Sequence, residues 1–292
     1  MYFSIVHERA LIIFSAIYPT SLMNKCCIFI YLLSVLTCHD KTRELCCTLF
    51  FMQIVIFNFE NCSAIELEKR GSTASFLKSF DARNENRKKS YWAARYAAGC
   101  LLQRAKISGL VSQNSQLGFP ILVDEKGNNN VSHYINFSHT ETTVTVALSH
   151  HPVGIDIENL NRNAENATQR ILSEKEKTSF SLLNKKIKLQ DKLVAKALLY
   201  WVLKESVAKA TGLGMSKGLE LFEIETLLDG LYSVTTPPEA PFIFQDAKCA
   251  PFIVDNFLLS VCTEGASFRG GIFGGGPFFR LLDLNGKLEQ LN

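Results

Sequence analysis

One segment, residues 190–211, limits most strongly how this chain can fold, because charged side chains interrupt an apolar helical pattern there. On a helical wheel Glu205 lies with Leu198 and Trp201 inside the apolar arc. A carboxylate in that position destabilises a fold unless a cation or a donor satisfies it. Lys209 follows one turn later on the same face. The alternative is an exposed i,i+4 pair of Glu205 and Lys209, worth roughly 0.2–0.5 kcal/mol.

A second segment, Gly154-Ile155-Asp156-Ile157-Glu158, predicts a short strand with two carboxylates on one side. Side chains two residues apart in a strand point to the same face, so Asp156 and Glu158 should lie side by side. Such neighbours raise each other's pKa unless a cation or donors offset the repulsion. Mg²⁺ prefers oxygen ligands of this kind. The alternative is a solvent-facing acidic strand end.

Two further segments carry polar groups. Ser138 and His139 place a hydroxyl and an imidazole just before a predicted strand at residues 144–148; the alternative is a capped turn with a hydrogen-bonded histidine. Residues 83–105 predict a helix with an apolar face and a basic face. The apolar face comprises Trp92, Ala93, Tyr96, Ala97 and Cys100, and the basic face comprises Arg87, Lys88, Tyr91 and Arg95.

The remaining pattern predicts a mixture of helices and short strands. Strands are expected at residues 52–58, 153–157, 219–226, 231–235 and 256–262, and a helix at residues 168–183. Residues 149–152 suit a hairpin connection between the two strands that flank them. Residues 59–82 and 107–133 are expected to be loops, and residues 185–188, with three lysines, a solvated loop.

Composition excludes several classes of protein. The chain has 292 residues, 47% of them hydrophobic and 20% charged, which excludes a disordered chain and a coiled coil. The net charge of +3 gives no sign of a nucleic-acid binder. Nine cysteines without any Cys-x-x-Cys spacing argue against a zinc site and a disulfide framework, and so favour a reducing compartment.

The two ends of the chain differ from its body. Residues 10–38 carry one charged side chain, Lys25, and form two apolar runs, each too short for a membrane helix. Three explanations stay open for residues 1–51: a membrane anchor, a buried N-terminal extension, or a start codon assigned too early. The Gly-rich residues 265–292 match no phosphate-binding loop and are expected to form a flexible or artefactual tail.

Taken together, the order and spacing of these segments resemble the 4′-phosphopantetheinyl transferases of the larger, surfactin-type and enterobactin-type class. The family pattern is a Ser-His turn, then a Gly-(Ile/Val)-Asp-x-Glu strand and, further on, a Trp-x-x-Lys-Glu-(Ser/Ala)-x-x-Lys helix. Here these are Ser138-His139, Gly154 to Glu158, and Trp201 to Lys209, and residues 87–98 resemble the basic helix of the enterobactin-type enzymes. The resemblance covers residues 83–264. In one departure, Gly118-Phe119-Pro120 stands where the family often has Gly-Lys-Pro, which removes one candidate phosphate contact.

The resemblance implies an α+β fold of two similar halves related by a pseudo-twofold axis, each a small, mostly antiparallel sheet packed on helices. The halves would be residues 52–152 and 153–264, with coenzyme A bound between them. The activity implied is transfer of the 4′-phosphopantetheine arm of coenzyme A to a serine of an apo carrier protein, with release of 3′,5′-ADP. The carrier could serve fatty-acid, polyketide, peptide-synthetase, siderophore or other secondary-metabolite synthesis.

The resemblance also implies roles for single residues. Asp156, Glu158 and Glu205 would bind Mg²⁺, with Mn²⁺ as a substitute. Glu205 would also be the base for the carrier serine, and Lys209 would stabilise the leaving phosphate. The coenzyme A contacts would come from Arg87, Lys88, Arg95, Ser138, His139, Asp156, Lys204 and Lys209.

Two other functions stay open from the sequence. One is a membrane-tethered, non-catalytic protein whose acidic pair binds a metal ion, with residues 10–38 as the anchor. The other is a metal-dependent hydrolase of nucleotide pyrophosphates that uses the same carboxylates. For the transferase we expect a cytoplasmic monomer that does not bind nucleic acid.

Overall fold

The computed structural model of the chain describes residues 11–19, 26–36, 48–76, 80, 84–113, 119–129, 132–179, 185–190, 192–214, 218–226, 231–238 and 247–264. The expected tail, residues 265–292, lies outside the described residues. In chain order the elements are β1 (Leu11–Pro19), β2 (Cys26–Leu36), β3 (Thr48–Asn58), α1 (Ala64–Gly71), α2 (Glu85–Ala105), β4 (Leu110–Gln113), β5 (Pro120–Val123), β6 (Tyr134–His139), β7 (Thr143–Ser149), β8 (Gly154–Asn159), α3 (Glu165–Ile171), α4 (Glu174–Ser179), β9 (Lys186–Leu189), β10 (Lys192–Ala195), α5 (Lys196–Ala210), β11 (Glu223–Thr226), β12 (Tyr232–Thr235), β13 (Ala247–Val254) and β14 (Phe257–Glu264).

Two five-stranded sheets form the body of the molecule. The first sheet has the strand order β1-β2-β3-β7-β6, and the second has the order β11-β12-β13-β14-β8. Every pair of neighbouring strands in both sheets is antiparallel. Two separate hairpins, β4–β5 and β9–β10, complete the strands of the described chain. The predicted α+β class, with small antiparallel sheets packed on helices, is therefore confirmed.

The sheets and helices stack in layers because successive side chains of each strand face opposite ways. Val55 and Phe57 of β3 pack against α2 on one side of the first sheet. Ile54 of β3 points the other way, into a core shared with Ile155 and Ile157 of β8. The far face of the second sheet packs against α5. The order of layers is thus α2, first sheet, second sheet, α5.

The expected hairpin across residues 149–152 is wrong. Strand β7 is bonded on one edge to β3 and on the other to β6, so neither edge is open to the strand that follows it. Strand β8 instead joins the second sheet, where it pairs with β14 from Gly154↔Cys262 to Asn159↔Phe257. The sequence separates β8 from β14 by about a hundred residues, so no local pattern could indicate this pairing.

Several helix boundaries also differ from expectation. The helix expected over residues 168–183 breaks into α3 and α4, because Leu172 is extended and Ser173 starts a new helix. Ser173 and Glu176 form a reciprocal capping box, in which each side chain accepts a backbone N–H of the other. The sequence contains this Ser-x-x-Glu signal.

The long helix expected over residues 190–211 begins only at Lys196. Residues 186–189 and 192–195 form the paired strands of the hairpin β9–β10, and Gln190 is in the left-handed region at a φ of 53°. The lysine-rich segment expected to be a loop is therefore part of a strand. Helix α1 and the hairpin β4–β5 lie in segments expected to be loops, and strands β6 and β13 were not anticipated. Strands β4 and β5 have only four residues each, too few for a periodic pattern.

The backbone of residues 11–19 and 26–36 forms strands β1 and β2, and β2 pairs with β3 from Cys27↔Phe57 to Leu36↔Thr48. The other residues of the segment 1–47 lie outside the described part of the chain. Among the described residues, no helix combines the length and the apolar character needed to cross a membrane.

Candidate active site

The candidate site forms where two edge strands meet under a helix. Strand β6 is the last strand of the first sheet, β8 is the last of the second, and the two lie against each other. Gly154 lets β8 approach α5 closely, since a Cβ atom at this position would lie 1.9 Å from the carbonyl oxygen of Ser206 and 2.4 Å from the amide nitrogen of Ala210. Only glycine fits this crossing. The close approach brings Asp156, two residues along β8, next to α5.

Lys209 is the centre of the polar cluster at this crossing. Its Nζ donates to Oδ1 of Asp156 at 2.7 Å and to Oγ of Ser138 at 3.0 Å. Its distance to Oε2 of Glu205 is 3.5 Å. Ser138 in turn donates to the same Oδ1 of Asp156 at 2.6 Å. Burial disfavours the charged amine, but the charges of Asp156 and Glu205 outweigh it and raise the pKa of Lys209.

Glu205 is buried beside this cluster, with 7% of the residue exposed. Burial, assisted by the charge of Asp156, raises its pKa to about 7, while the charge of Lys209 acts in the opposite direction. The expectation that Glu205 lies in an apolar arc is confirmed by this burial. The alternative, an exposed Glu205–Lys209 pair, does not describe the site, because Lys209 divides its contacts among three side chains.

The chemistry of Asp156 and Glu205 fits a divalent cation. Oδ2 of Asp156 is buried and has no hydrogen-bond partner among the described residues, and such an orphaned oxygen is costly unless something satisfies it. It belongs to a carboxylate whose charge raises the pKa of Glu205, which places two carboxylates in one buried pocket. A hard cation neutralises this arrangement. Even so, no group of three or more His, Cys, Asp or Glu side chains converges on one point within the described chain.

The third predicted ligand, Glu158, is held by other groups. Its Oε1 accepts a hydrogen bond from the indole Nε1 of Trp201 at 3.0 Å and forms an ion pair with Arg162. The guanidinium of Arg162 also stacks on the Trp201 ring, with its Cζ 4.6 Å from the ring centroid. Sequence reasoning missed Arg162. The i,i+4 rule applies within a helix, and Glu158 and Arg162 span a strand end and a turn.

Lys204 does not reach this cluster. Its side chain is fully buried, and its Nζ bonds to Oε2 of Glu176 at 2.6 Å and to the carbonyl oxygens of Leu219 and Phe222 at 3.2 and 2.7 Å. These three acceptors use all three N–H donors of an ammonium group. Burial lowers the pKa of Lys204, against the effect of Glu176. These contacts give Lys204 a structural role and leave its ammonium group no donor for a ligand, which argues against the expected contact with coenzyme A.

Arg95 was expected on the exposed basic face of α2, but it is 9% exposed. Its Cζ lies 3.7 Å from the centroid of the Tyr91 ring and 5.2 Å from that of Phe137. Burial lowers its pKa, and its Nε has no hydrogen-bond partner within the described residues. Since Phe137 packs toward α2 and Ser138 is the next residue of β6, Arg95 and the Asp156 cluster lie on opposite faces of this strand.

The other expected coenzyme A contacts are spread around the same strand. His139 ends β6, and burial lowers the pKa of its imidazole. Lys88 forms an ion pair with Glu68 of α1 at 3.1 Å. Arg87 is exposed in the first turn of α2, where its backbone N–H donates to the capping side chain of Asn84. The structure therefore brings together Ser138, Asp156, Glu205 and Lys209, and leaves Arg87, Lys88 and Arg95 on α2.

A cavity of about 250 Å³ opens beside Lys209. Its walls are mainly apolar and come from β5, β6, the segment before β8 and the end of α5. Phe119 and Pro120, the residues at the departure from the family pattern, line it together with Asn136, whose side chain donates to the carbonyl oxygen of Lys209 at 3.4 Å. An apolar cavity with a few polar groups at one wall suits part of an organic ligand.

The chain also contains Gly214-Met215-Ser216-Lys217-Gly218, which matches the Gly-x-Ser-x-Gly pattern of serine hydrolases. That pattern marks a nucleophile only where a strand leads into it and a helix follows. Here helix α5 precedes it, and a short 3₁₀ turn, Leu219–Leu221, and strand β11 follow. Residues 215–217 themselves lie outside the described residues. The context gives no support to a serine hydrolase.

Comparison with known proteins identifies the family that this region resembles. Residues 152–262 match the family model of the 4′-phosphopantetheinyl transferase superfamily. This range contains β8 and α5, and hence Asp156, Glu158, Glu205 and Lys209.

Three curated proteins are each similar to a part of this chain. The 4′-phosphopantetheinyl transferase psf-1 of Bacillus pumilus is 32% identical over 134 residues, 46% of this chain and 54% of that protein. The 4′-phosphopantetheinyl transferase gsp of Aneurinibacillus migulanus is 33% identical over 92 residues, 32% of this chain and 37% of that protein. A 4′-phosphopantetheinyl transferase of Bacillus subtilis is 28% identical over 139 residues, 48% of this chain and 58% of that protein. The matches span about half the length of these relatives, and the resemblance stated from the sequence is confirmed.

Proposed function

We propose that this protein transfers the 4′-phosphopantetheine group of coenzyme A to a serine of an apo carrier protein and releases 3′,5′-ADP. The observation that carries the proposal is the buried cluster of Asp156, Glu205 and Lys209, within the range that matches the transferase superfamily. The two carboxylates and the ammonium group provide what phosphoryl transfer requires, which is positioning and neutralisation of charge. The family names of three relatives agree with this activity.

In the proposed reaction the carrier serine attacks the phosphorus bonded to the pantetheine arm, and the anhydride bond to the nucleotide phosphate breaks. Glu205 takes the proton of the serine hydroxyl. Its pKa of about 7 keeps a substantial fraction ionised at neutral pH. Lys209 remains charged, because the nearby carboxylates raise its pKa, and it stabilises the negative charge that develops on the leaving 3′,5′-ADP.

Asp156 and Glu205 would hold Mg²⁺, and Glu158, on the same face of β8 as Asp156, would be the third ligand. The ion, when bound, supplies a Lewis acid that neutralises the pyrophosphate. The orphaned Oδ2 of Asp156 supports this assignment. Trp201 and Arg162 would fix the orientation of the Glu158 carboxylate, since both contact its Oε1.

The rest of coenzyme A would lie along β6. Ser138 and His139 are at its end, and the cavity beside Lys209 lies along its other residues. Arg95, a buried cation without a carboxylate partner among the described residues, would contribute positive charge for the anionic coenzyme A from the α2 side, with Arg87 and Lys88 nearer the start of that helix. Among the described residues, Cys62, Cys100, Cys249 and Cys262 form no disulfide, which supports a reducing compartment, and we assign the protein to the cytoplasm as a monomer.

A single assay tests this function. The protein is incubated with coenzyme A, Mg²⁺ and a panel of apo acyl and peptidyl carrier proteins, and the carriers are weighed by mass spectrometry. Transfer adds one phosphopantetheine group to a carrier. Release of 3′,5′-ADP without carrier would instead identify a pyrophosphate hydrolase, and absence of both products would identify a non-catalytic binding protein.

The Asp156→Ala variant tests the proposed cation site in the same assay. We expect loss of transfer at every Mg²⁺ concentration by a protein that still folds but has a lower unfolding midpoint, because Lys209 and Ser138 lose their buried acceptor. An Asp124→Ala variant, which removes an exposed turn carboxylate, is the matched control. Near-normal transfer by Asp156→Ala at low Mg²⁺ would show that the cation assignment is wrong.

A further inference from the structure

The hairpin β9–β10 has one buried face and one outward face. In its register Ile187 pairs with Val194, and Lys188 pairs with Leu193. The Ile187–Val194 pair packs into the core under α5, where Val194 is 1% exposed. The alternate pair faces outward, and Leu193 is 66% exposed. The exposed Leu193 of β10 therefore lies beside Lys188 of β9 on the outward face of the hairpin.

The outward face is strongly basic. Residues 185–196 contain five lysines and one aspartate, a net charge of +4, whereas the whole chain has a net charge of only +3. Within the described chain, no carboxylate forms an ion pair with Lys185, Lys186 or Lys188, and all three side chains are exposed. Elsewhere, exposed lysines such as Lys175 and Lys177 do have carboxylate partners. The outward face of the hairpin thus carries lysines that no carboxylate of the described chain neutralises.

The hairpin is also close to the candidate active site. Ala195 ends β10 and Lys196 begins α5, so no linker separates them. At a rise of about 1.5 Å per residue, Trp201, which binds Glu158, is about 8 Å along the helix from Lys196, and Glu205 is about 14 Å along it. A protein domain seated on the hairpin would therefore lie within about 14 Å of Glu205, measured along the axis of α5.

We propose that the outward face of β9–β10, formed by Lys186, Lys188 and Leu193, is the docking surface for an acidic patch of the carrier protein. This rests on the proposed function and names how its protein substrate is recognised. An apolar residue surrounded by uncompensated cations fits a partner with an exposed apolar side chain ringed by carboxylates. The lysines attract and orient the partner, and Leu193 provides the apolar contact once the surfaces meet.

The test uses the full chain with Lys186→Glu and Lys188→Glu combined, and separately with Leu193→Ser. The control combines Lys69→Glu and Lys126→Glu, which changes the net charge equally at exposed lysines outside the hairpin. For each protein, binding of the apo carrier is measured by surface plasmon resonance at several salt concentrations. The Michaelis constants for carrier and for coenzyme A are measured in parallel. A Lys186→Gln, Lys188→Gln protein replaces the charge-reversal variant if circular dichroism shows that the latter is misfolded.

We expect the charge-reversal variant to bind the carrier at least about tenfold more weakly at low salt, with the difference shrinking as salt is added. Leu193→Ser should weaken binding at all salt concentrations, while the control and the constant for coenzyme A stay unchanged. Equal carrier binding by wild type, hairpin variants and control would overturn the proposal. The proposal would also be overturned if the hairpin variants lost binding to a mixed-sequence DNA duplex but bound the carrier as well as the wild type does. If wild type binds the carrier but transfers nothing, the proposed function fails while the binding comparison still decides the role of the hairpin.

Discussion

Glu205 combines two requirements that usually conflict. It is buried among apolar residues, which favours the neutral acid, and it lies near Lys209, which favours the carboxylate. The result is a pKa of about 7 and thus a group able to accept a proton at neutral pH. An exposed glutamate would have been ionised but weakly basic, and one without Lys209 would have stayed protonated.

The Glu205→Gln variant should separate proton acceptance from substrate binding. Glutamine keeps the shape and one oxygen ligand but cannot take the serine proton. We expect coenzyme A to bind with little change and the single-turnover rate to fall by about 10²–10⁴-fold, as for loss of a general base. Calorimetry gives the affinity, and rapid-quench measurement on the same protein gives the rate.

A Glu125→Gln variant controls for the loss of one negative charge, because Glu125 is exposed in the turn after β5. Tight binding of coenzyme A with a normal rate in Glu205→Gln would disprove the role as base. Weak binding with a normal rate at saturation would leave Glu205 as a ligand only.

At the scale of elements, helix α5 is anchored by a buried ion pair. Lys204 bonds to Glu176 of α4, and the second carboxylate oxygen of Glu176 accepts the backbone N–H of Ile224 in β11 at 3.0 Å. Ser173 donates its N–H to the same carboxylate at 2.8 Å. Every polar atom in the pair is therefore satisfied, and three elements are joined beneath the helix that carries Glu205 and Lys209.

Replacing Lys204 by methionine should destabilise the protein without removing a substrate contact. Glu176 would be left buried without its cation, at a cost of about 3–5 kcal/mol. Adding Glu176→Gln should recover part of that loss, because the uncompensated charge is gone. Urea unfolding of wild type, both single variants and the double variant gives the coupling energy.

The same four proteins test the expectation that Lys204 contacts coenzyme A. If the structural role is correct, coenzyme A affinity per folded molecule changes little in Lys204→Met. Native stability with a large loss of coenzyme A affinity would instead restore the binding role.

At the scale of the whole molecule, three apolar cores hold the layers together, and the core between the sheets determines how β6 meets β8. Met52, Ile54 and Ile56 of β3 all contribute to that core, whereas the site itself draws on residues from β6 onward. Within the described chain, β1 pairs with β2, and β2 pairs with the edge of β3 that faces away from β7.

A protein beginning at Met52 should therefore keep the site and transfer at a rate close to that of the full chain. Removal of β2 leaves the backbone of β3 as an open edge, which favours association between copies. Transfer rate per site and mass by light scattering measure the two effects. A truncated protein that is inactive or insoluble, beside an active full chain, would show that the segment 1–51 belongs to the fold.

The sequence by itself determined the features that depend on neighbours along the chain. Strand periodicity put Asp156 and Glu158 on one face, and helix periodicity put Glu205 in an apolar arc. The motif spacing was enough to identify the family resemblance. Each of these predictions requires only the geometry of a single strand or helix, and a few adjacent residues determine that geometry.

The tertiary structure alone decided which groups those side chains meet. Arg162 at Glu158, Glu176 at Lys204, and Tyr91 with Phe137 around Arg95 arise from packing between elements, for which no local period gives a signal. The pairing of β8 with β14 likewise depends on β7 having both edges occupied. Lys204 and Lys209 lie on one helix with similar sequence surroundings, yet burial against α4 and β11 makes the first structural, and the meeting of β6 with β8 leaves the second at the site.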